Sequence, residues 1–296
     1  MSVRHSYFEA TARRRLAGLL DAGSFREILP PAESTPSPHL ASLDLPGAFD
    51  DGVVVGYGQL EKRPVFVIAQ EGQFMGGAVG EIHGAKIVGL LRRAALEKPA
   101  AVLFLIDSGG VRLHEANAGL IAISEIMRAV LDTRAAGVPV LALVGGSCGA
   151  FGGMGIVAKL CSAIVISEEG RLALSGPEVI ETVAGVEEFD AKDRALVWRV
   201  TGGKHRYLMG DCAVLAEDDI AGFAAAAAQW IAGQGEAGPS LAALRATQSR
   251  LENRMAAYAT YRDGLQVWAA LGVQNPENVP LLDRDSLVAI KEGLPT

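Results

Sequence analysis

Short runs that are apolar at nearly every position recur along the chain, at residues 64–69, 101–107, 139–144 and 163–167. They are too short for buried helices and rich in Val, Ile, Leu and Phe, so they predict strands covered on both faces. The stretches between them, about 78–96, about 116–136 and a segment after Gly152, predict helices. A repeated strand–helix order with apolar strands predicts an α/β fold around a buried, mostly parallel sheet. Asp50-Asp51-Gly52 marks a turn into Val53-Val54-Val55, which forms a hairpin with the 64–69 run.

Both ends of the chain break this rhythm. Residues 5–29 read as a helix and its exit, from the spacing of Tyr7, Phe8, Ala12, Leu16, Leu19 and Leu20. Pro30, Pro31, Pro36, Pro38 and Pro46 then predict a stiff, extended connector. An Ala-rich helix is expected at 221–231 and a linker at 233–239. Residues 241–271 read as one long or two shorter helices. Leu244, Leu251, Met255, Tyr258, Tyr261, Leu265 and Trp268 fall near one face, which is either core or the cover of a partner subunit. The expected organisation is an N-terminal helix and Pro-rich connector (1–46), a core (47–232) and a C-terminal helical segment (233–296).

The 296 residues are 50% hydrophobic and 21% charged, enough for a large core. A net charge of −7 argues against a nucleic-acid or anionic-membrane surface. The basic clusters Arg13-Arg14-Arg15 and Arg92-Arg93 read as solvated helix faces, with a phosphate contact as the alternative. No apolar run is long enough for a membrane span, and the N-terminus lacks a signal-peptide pattern. Cys148, Cys161 and Cys212 show no CxxC spacing, so neither a disulfide framework nor a zinc ribbon is expected. A cytoplasmic location fits these features.

Candidate chemistry lies in the glycines. Ser108-Gly109-Gly110-Val111-Arg112 follows one predicted strand, and a second cluster, from Gly145 to Gly155, follows the next. A strand that ends in glycines and turns into a helix leaves backbone N–H groups facing open space. Two such ends side by side hold a negatively charged oxygen, as a thioester enolate requires. The candidate donors are Gly109 and Gly110 in the first loop and Gly152 and Gly153 in the second. A third cluster, Phe74-Met75-Gly76-Gly77, precedes an earlier helix.

The second cluster admits other readings. Gly145-Gly146-Ser147-Cys148-Gly149 matches a nucleophile elbow, with His205 as base and Asp190 or Asp193 as orienter. An elbow enters its helix directly after the nucleophile, whereas these glycines continue to Gly155. Gly153-Met154-Gly155 also begins a dinucleotide-type pattern, but no acidic residue closes a following strand at the required distance. A non-enzymatic scaffold is a further alternative.

The clusters from Phe74 to Gly80, Ser108 to Glu115 and Gly145 to Gly155, followed by the stretch from Leu174 to Ile180, occur in the order seen in acyl-CoA carboxyltransferase β subunits of the crotonase superfamily. The opening from Ala12 to Phe25 is also similar, and the resemblance covers about residues 10–183. No cysteine precedes Cys148, unlike the zinc-ribbon β subunits, and the chain is far shorter than the propionyl-type proteins. It most resembles the β subunits of biotin-independent malonate decarboxylases.

The resemblance implies a crotonase/ClpP-like spiral of ββα units, with neither metal nor biotin. It also implies a γ-type crotonase-fold partner and an acyl-carrier protein whose CoA-like, phosphopantetheine-type arm delivers a malonyl thioester. A biotin-dependent carboxyltransferase is the alternative. Expected substrate contacts are Phe74, Met75, Gly76, Gly77, Arg112, Asn117, Phe151 and Met154. His114 and Glu115 are candidate proton donors, and Arg112 pairs with Glu115 or meets a phosphate.

Overall fold

The computed structural model describes residues 5–33, 35–42, 44, 51–233 and 238–294. The expected boundary at residue 46 and the middle of the 233–239 linker fall outside these residues. The chain opens with α1 (Ala12–Leu19), β1 (Arg26–Ile28) and the short α2 (Pro38–Ser42). The hairpin β2 (Val53–Leu60) and β3 (Arg63–Gln70) follows, then α3 (Glu81–Glu97), β4 (Ala101–Ile106), α4 (Asn117–Ala135) and β5 (Val140–Val144). Next come α5 (Gly153–Leu160), β6 (Ala163–Ser167), α6 (Pro177–Ala184), α7 (Arg194–Thr201), α8 (Gly203–Leu208), β7 (Val214–Ala216) and α9 (Ile220–Gly233). The last elements are α10 (Leu241–Tyr258), α11 (Gly264–Ala270) and α12 (Arg284–Gly293).

The seven strands form one sheet in sequence order. β1, β2 and β3 are antiparallel, and β3 through β7 are parallel. Every residue of β4 and β5 is buried, as expected of strands covered on both sides. Side chains alternate between faces. Phe104 and Ile106 join Ile126 of α4 and Val157 of α5 in one apolar cluster, to which Trp268 and Leu287 of the C-terminal helices also belong. Leu103 and Leu105 point the other way, into a cluster with Leu16 of α1 and Phe223 of α9. The result is the α/β core around a mostly parallel sheet expected from the sequence. In it, the parallel strands β3, β4 and β5 all deliver their loops to one edge of the sheet.

The ends differ from expectation. Within residues 5–29, read as a helix and its exit, only 12–19 are α-helical. Thr11 caps α1 through the Arg14 amide, while Asp218 holds the Ser6 hydroxyl and the Phe8 amide and keeps that segment out of the helix. Residues 26–28 pair with β2 instead. The connector is not extended throughout. Pro31 and Pro38 each begin a short helical turn, where a missing N–H costs nothing. Residues 241–271 form two helices, and their apolar positions do not share one environment. Trp268 of α11 is 1% exposed, but no residue of α10 is buried, and Leu244, Leu251 and Met255 face solvent.

Candidate active site

The glycine loops after β3, β4 and β5 lie together. The Ser108 amide donates to Gly149 O (2.7 Å) and the Phe151 amide to Ser108 O (3.0 Å), which stitches the second loop to the first. The Gly109 amide donates to Gly76 O and the Val79 amide to Gly110 O, both at 2.9 Å, which ties in the third loop. Gly152 passes so close to Gly110 that a Cβ on it would sit 3.4 Å from the Gly110 Cα. Gly77 is obligatory for a plainer reason: a Cβ there would run into the carbonyl of Asp107.

Three of the four expected donor amides have internal acceptors. Gly109 is spent on Gly76 O and Gly152 on Leu174 O (2.8 Å). Gly110 donates to the hydroxyl of Ser108 (3.1 Å), a local acceptor that a side-chain rotation removes. The Gly153 amide, at the first position of α5, has no acceptor among the described residues. Its helix carries no side-chain cap, so the N-terminal dipole is also unopposed. Of the four amides, Gly153 has no acceptor among the described residues and Gly110 has only a neighbouring hydroxyl. Gly109 and Gly152 instead fix the shape of their loops.

Each loop rests on a buried ion pair. Asp107, at the end of β4, is 1% exposed and accepts from Arg15 Nη1 (2.8 Å) and from the Cys148 amide (2.7 Å). The carboxylate fills the space beside Gly72 and Gly146, where a Cβ at either would strike it. Burial pushes its pKa up, against the opposing pull of Arg15. Arg15 also donates to Tyr7 O (2.8 Å), so the N-terminal arm is bolted to the loop after β5. Arg15 is therefore neither part of a solvated helix face nor a phosphate contact. Asp107 also raises the Cys148 thiol pKa, though burial raises it more, so Cys148 is not poised as a thiolate.

In the first loop, Arg112 Nη1 pairs with Glu115 Oε1 (2.8 Å), and both side chains are buried. Arg112 further donates to Asp51 O and Ala78 O, and Glu115 accepts the Glu81 amide. This corrects two expectations. Arg112 is not presented to a substrate, and Glu115 is held as a carboxylate acceptor rather than displayed as a proton donor. Phe151 and Met154 are also core residues, 4% and 0% exposed. Phe74 is half-buried with Arg112 over its ring, while Met75, Gly76, His114 and Asn117 are exposed.

The hydrolase constellation does not assemble. α5 begins at Gly153, six residues beyond Ser147. His205 is buried against Trp268, and burial lowers its pKa to about 3. Asp193 caps α7 through the Leu196 amide. No cluster of three His, Cys, Asp or Glu suited to a metal occurs among the described residues, and none of their helices is long and apolar enough to cross a membrane.

Sequence reasoning missed Arg15, Asp107 and Arg171. Asp107 was visible as an acidic residue closing an apolar run, but nothing local assigned it a partner 92 positions away. Arg171 lies over the rings of Phe151 (5.5 Å) and Trp198 (5.3 Å) and donates to Ser147 O. No short-range signal marked it.

The carboxyl transferase domain matches residues 4–241. A malonyl-S-ACP:biotin-protein carboxyltransferase from Malonomonas rubra is 41% identical across 96% of this chain and 95% of its own. Among solved structures, a chain of the Pseudomonas malonate decarboxylase hetero-tetramer, in complex with malonate, superposes with a TM-score of 0.80. It is 38% identical, over 95% of this chain and 98% of that one. A chain of a hetero-dimer of the same Pseudomonas enzyme superposes with a TM-score of 0.67, at 38% identity over 84% and 97%. A family match over residues 4–241, and similarity to a relative and to a solved structure over most of its length, lead to one conclusion: the chain belongs to the carboxyl transferase domain family.

Proposed function

We propose that this chain is the β-type subunit of a decarboxylase that converts a carrier-bound malonyl thioester to acetyl thioester and CO₂ without biotin. The bond between the α-carbon and the carboxylate breaks, and its electron pair passes into the enolate of the thioester. Negative charge then develops on the thioester oxygen. The amides of Gly153 and Gly110 receive it at the junction of the two loops, the latter released from Ser108. Such a preorganised donor is worth about 3–4 kcal/mol of barrier. A proton from water, or from His114 at the rim, reaches the α-carbon and completes the acetyl group.

The observation that carries this reading is the contact of Gly110 with Gly152, beside a helix-starting amide that has no acceptor among the described residues. Phe74, Met75, Gly76, Gly77 and Asn117 line the approach for the phosphopantetheine-type arm of an acyl-carrier protein. A γ-type crotonase-fold subunit completes the cleft. Leu113, Leu120, Ile121, Leu174 and Val183 are more than half exposed around the loops and supply an apolar face for it. The Pseudomonas hetero-tetramer and hetero-dimer support such partners. The reaction is assigned to the cytoplasm, and the domain division at about 46 and 232 is kept as part of the proposal.

A second reading is favoured by the Malonomonas relative, whose name describes carboxyl transfer from malonyl-S-ACP to a biotin protein. The two separate on one assay. The co-purified complex is given malonyl thioester with and without biotinyl acceptor protein, and CO₂ is measured. Release without biotin is expected, and strict dependence on biotin selects the second reading. Gly153→Pro removes the amide proton at a helix position that tolerates proline. Gly153→Ala adds the same Cβ, against Ile123, but keeps the donor. Turnover is expected to fall about 10²–10³-fold further in the proline variant than in the alanine one. Equal turnover in the two removes Gly153 from the mechanism.

A further inference from the structure

Arginines near the loops and in the packed C-terminal region have carboxylate partners. Arg15 meets Asp107, Arg112 meets Glu115, Arg199 meets Asp263, and Arg206 and Arg254 meet Asp211. Arg171 has none within 4 Å among the described residues. It is half-buried, and its Nε is buried without a hydrogen-bond partner. Among the described residues its side chain makes one hydrogen bond, from Nη2 to the carbonyl of Ser147, in the loop whose far end carries Gly152 and Gly153. The guanidinium lies over the rings of Phe151, the residue before Gly152, and of Trp198. Glu178 and Asp107 contribute only at longer range, and burial lowers the pKa of Arg171.

Aromatic faces return to a cation only part of what it loses on leaving water, and no carboxylate among the described residues makes up the difference here. A guanidinium left in this state is matched by an anion that arrives with a ligand. A planar fork with a free Nε fits a carboxylate better than a single charge does.

We propose that Arg171 binds the free carboxylate of the malonyl group and thereby distinguishes malonyl from acetyl thioesters. This rests on the decarboxylase reading above, and it deepens that reading by naming the specificity-determining residue. Arg171 holds the carboxylate over the second loop while the thioester oxygen sits at the junction of Gly110 and Gly153. The contact is strongest before CO₂ leaves, so it acts on substrate binding rather than on the barrier.

The test has two arms. In the first, malonate, acetate and inorganic phosphate are titrated calorimetrically into the full-length chain and its Arg171→Gln and Arg171→Lys variants. Malonate is expected to bind the wild type at least tenfold more tightly than acetate or phosphate. Affinity should drop at least tenfold in Arg171→Gln and by a smaller factor in Arg171→Lys. Unchanged malonate affinity in both variants overturns the proposal. Phosphate binding as tightly as malonate, and lost with it, also overturns it, because the site then serves the phosphate of a carrier arm.

In the second arm, KM for malonyl thioester is expected to rise 10–100-fold in the Arg171→Gln complex, with kcat within a few-fold of wild type. A fall in kcat at constant KM counts against carboxylate binding. The first arm needs no turnover, so a failure of the decarboxylase reading leaves the binding result interpretable. The lysine variant keeps the charge over the two aromatic rings, so the comparison survives if Arg171→Gln does not fold.

Discussion

The loops after β4 and β5 solve one problem with different materials. Each ends in a helix cap with an unusual backbone, Ala116 at φ 50°, ψ −129° and Gly152 at φ 56°, ψ −135°. Neither cap offers a side chain to its helix. Each loop also rests on a buried arginine–carboxylate pair. In the first loop the pair is local, Arg112 with Glu115, and the cap conformation falls on an alanine. The second loop leans on a pair outside itself: the Cys148 amide donates to Asp107, which closes β4 and pairs with Arg15 of the N-terminal arm, and the cap falls on a glycine. A non-glycine residue in so sparsely populated a region costs about 1–3 kcal/mol and persists where the surroundings over-determine it. The first loop can carry that strain because its own residues clamp it. The second avoids the strain but depends on a distant segment for its shape.

The largest test of this contrast is to cut the two anchors. Arg15→Met and Arg112→Met each strand a buried carboxylate and are expected to cost about 3–5 kcal/mol in urea unfolding. Their local signatures should differ. Amide exchange should rise at 146–153 in the first variant and at 79–81 and 115–117 in the second. Identical exchange patterns would remove the distinction between local and distant anchoring.

Exchanging the caps tests the strain itself. Gly152→Ala should destabilise by about 1–3 kcal/mol, since the new Cβ meets an unfavourable φ in a narrow junction.

Acid should weaken the packing around the first loop. His83 lies fully buried beneath it, bonded to the Asp51 carbonyl (3.1 Å), and burial, aided by Arg112, lowers its pKa to about 3. The unfolded chain takes up that proton near pH 6.5 and the folded one near 3. The contribution of His83 is therefore complete above pH 6.5 and is lost as pH falls toward 3, by about 1.4 kcal/mol per pH unit. His83→Gln should flatten the corresponding part of the stability–pH curve.

The smallest effect is expected from Ala116→Gly. Relief of strain, offset by the greater chain entropy of glycine, should leave a net gain of about 1 kcal/mol or less, with turnover preserved. A loss of stability would mean that the alanine is not strained.

Much of the core and part of the candidate site are legible in the sequence. The 101–107 and 139–144 runs declared buried strands because sheets covered on both faces tolerate no polar position in mid-strand. Gly110, Gly152 and Gly153 stood out because they fall where a strand ends and a helix opens, a place where backbone amides can meet an anion. Which amide is free was not readable. The acceptors of Gly109 and Gly152 are Gly76 O and Leu174 O, supplied by segments remote in sequence. Phe151 and Met154 looked like walls of a substrate channel and proved to be core, because apolar character alone does not say which side of a loop is wet. The Arg13–Arg15 cluster was misread for a related reason. Three consecutive charges on a helix point in three directions, and only packing shows that Arg15 points inward.

The order of strands and helices, the apolar sheet and the places where glycine loops must fall were set by local pattern, since hydrophobic periodicity and backbone permissiveness are properties of neighbouring residues. Tertiary structure alone decided the pairing of Arg15 with Asp107, the release of the Gly153 amide and the position of Arg171 between Phe151 and Trp198. Those are contacts between segments far apart in sequence. Their energies come from burial and electrostatic pairing, which exist only once the chain has closed.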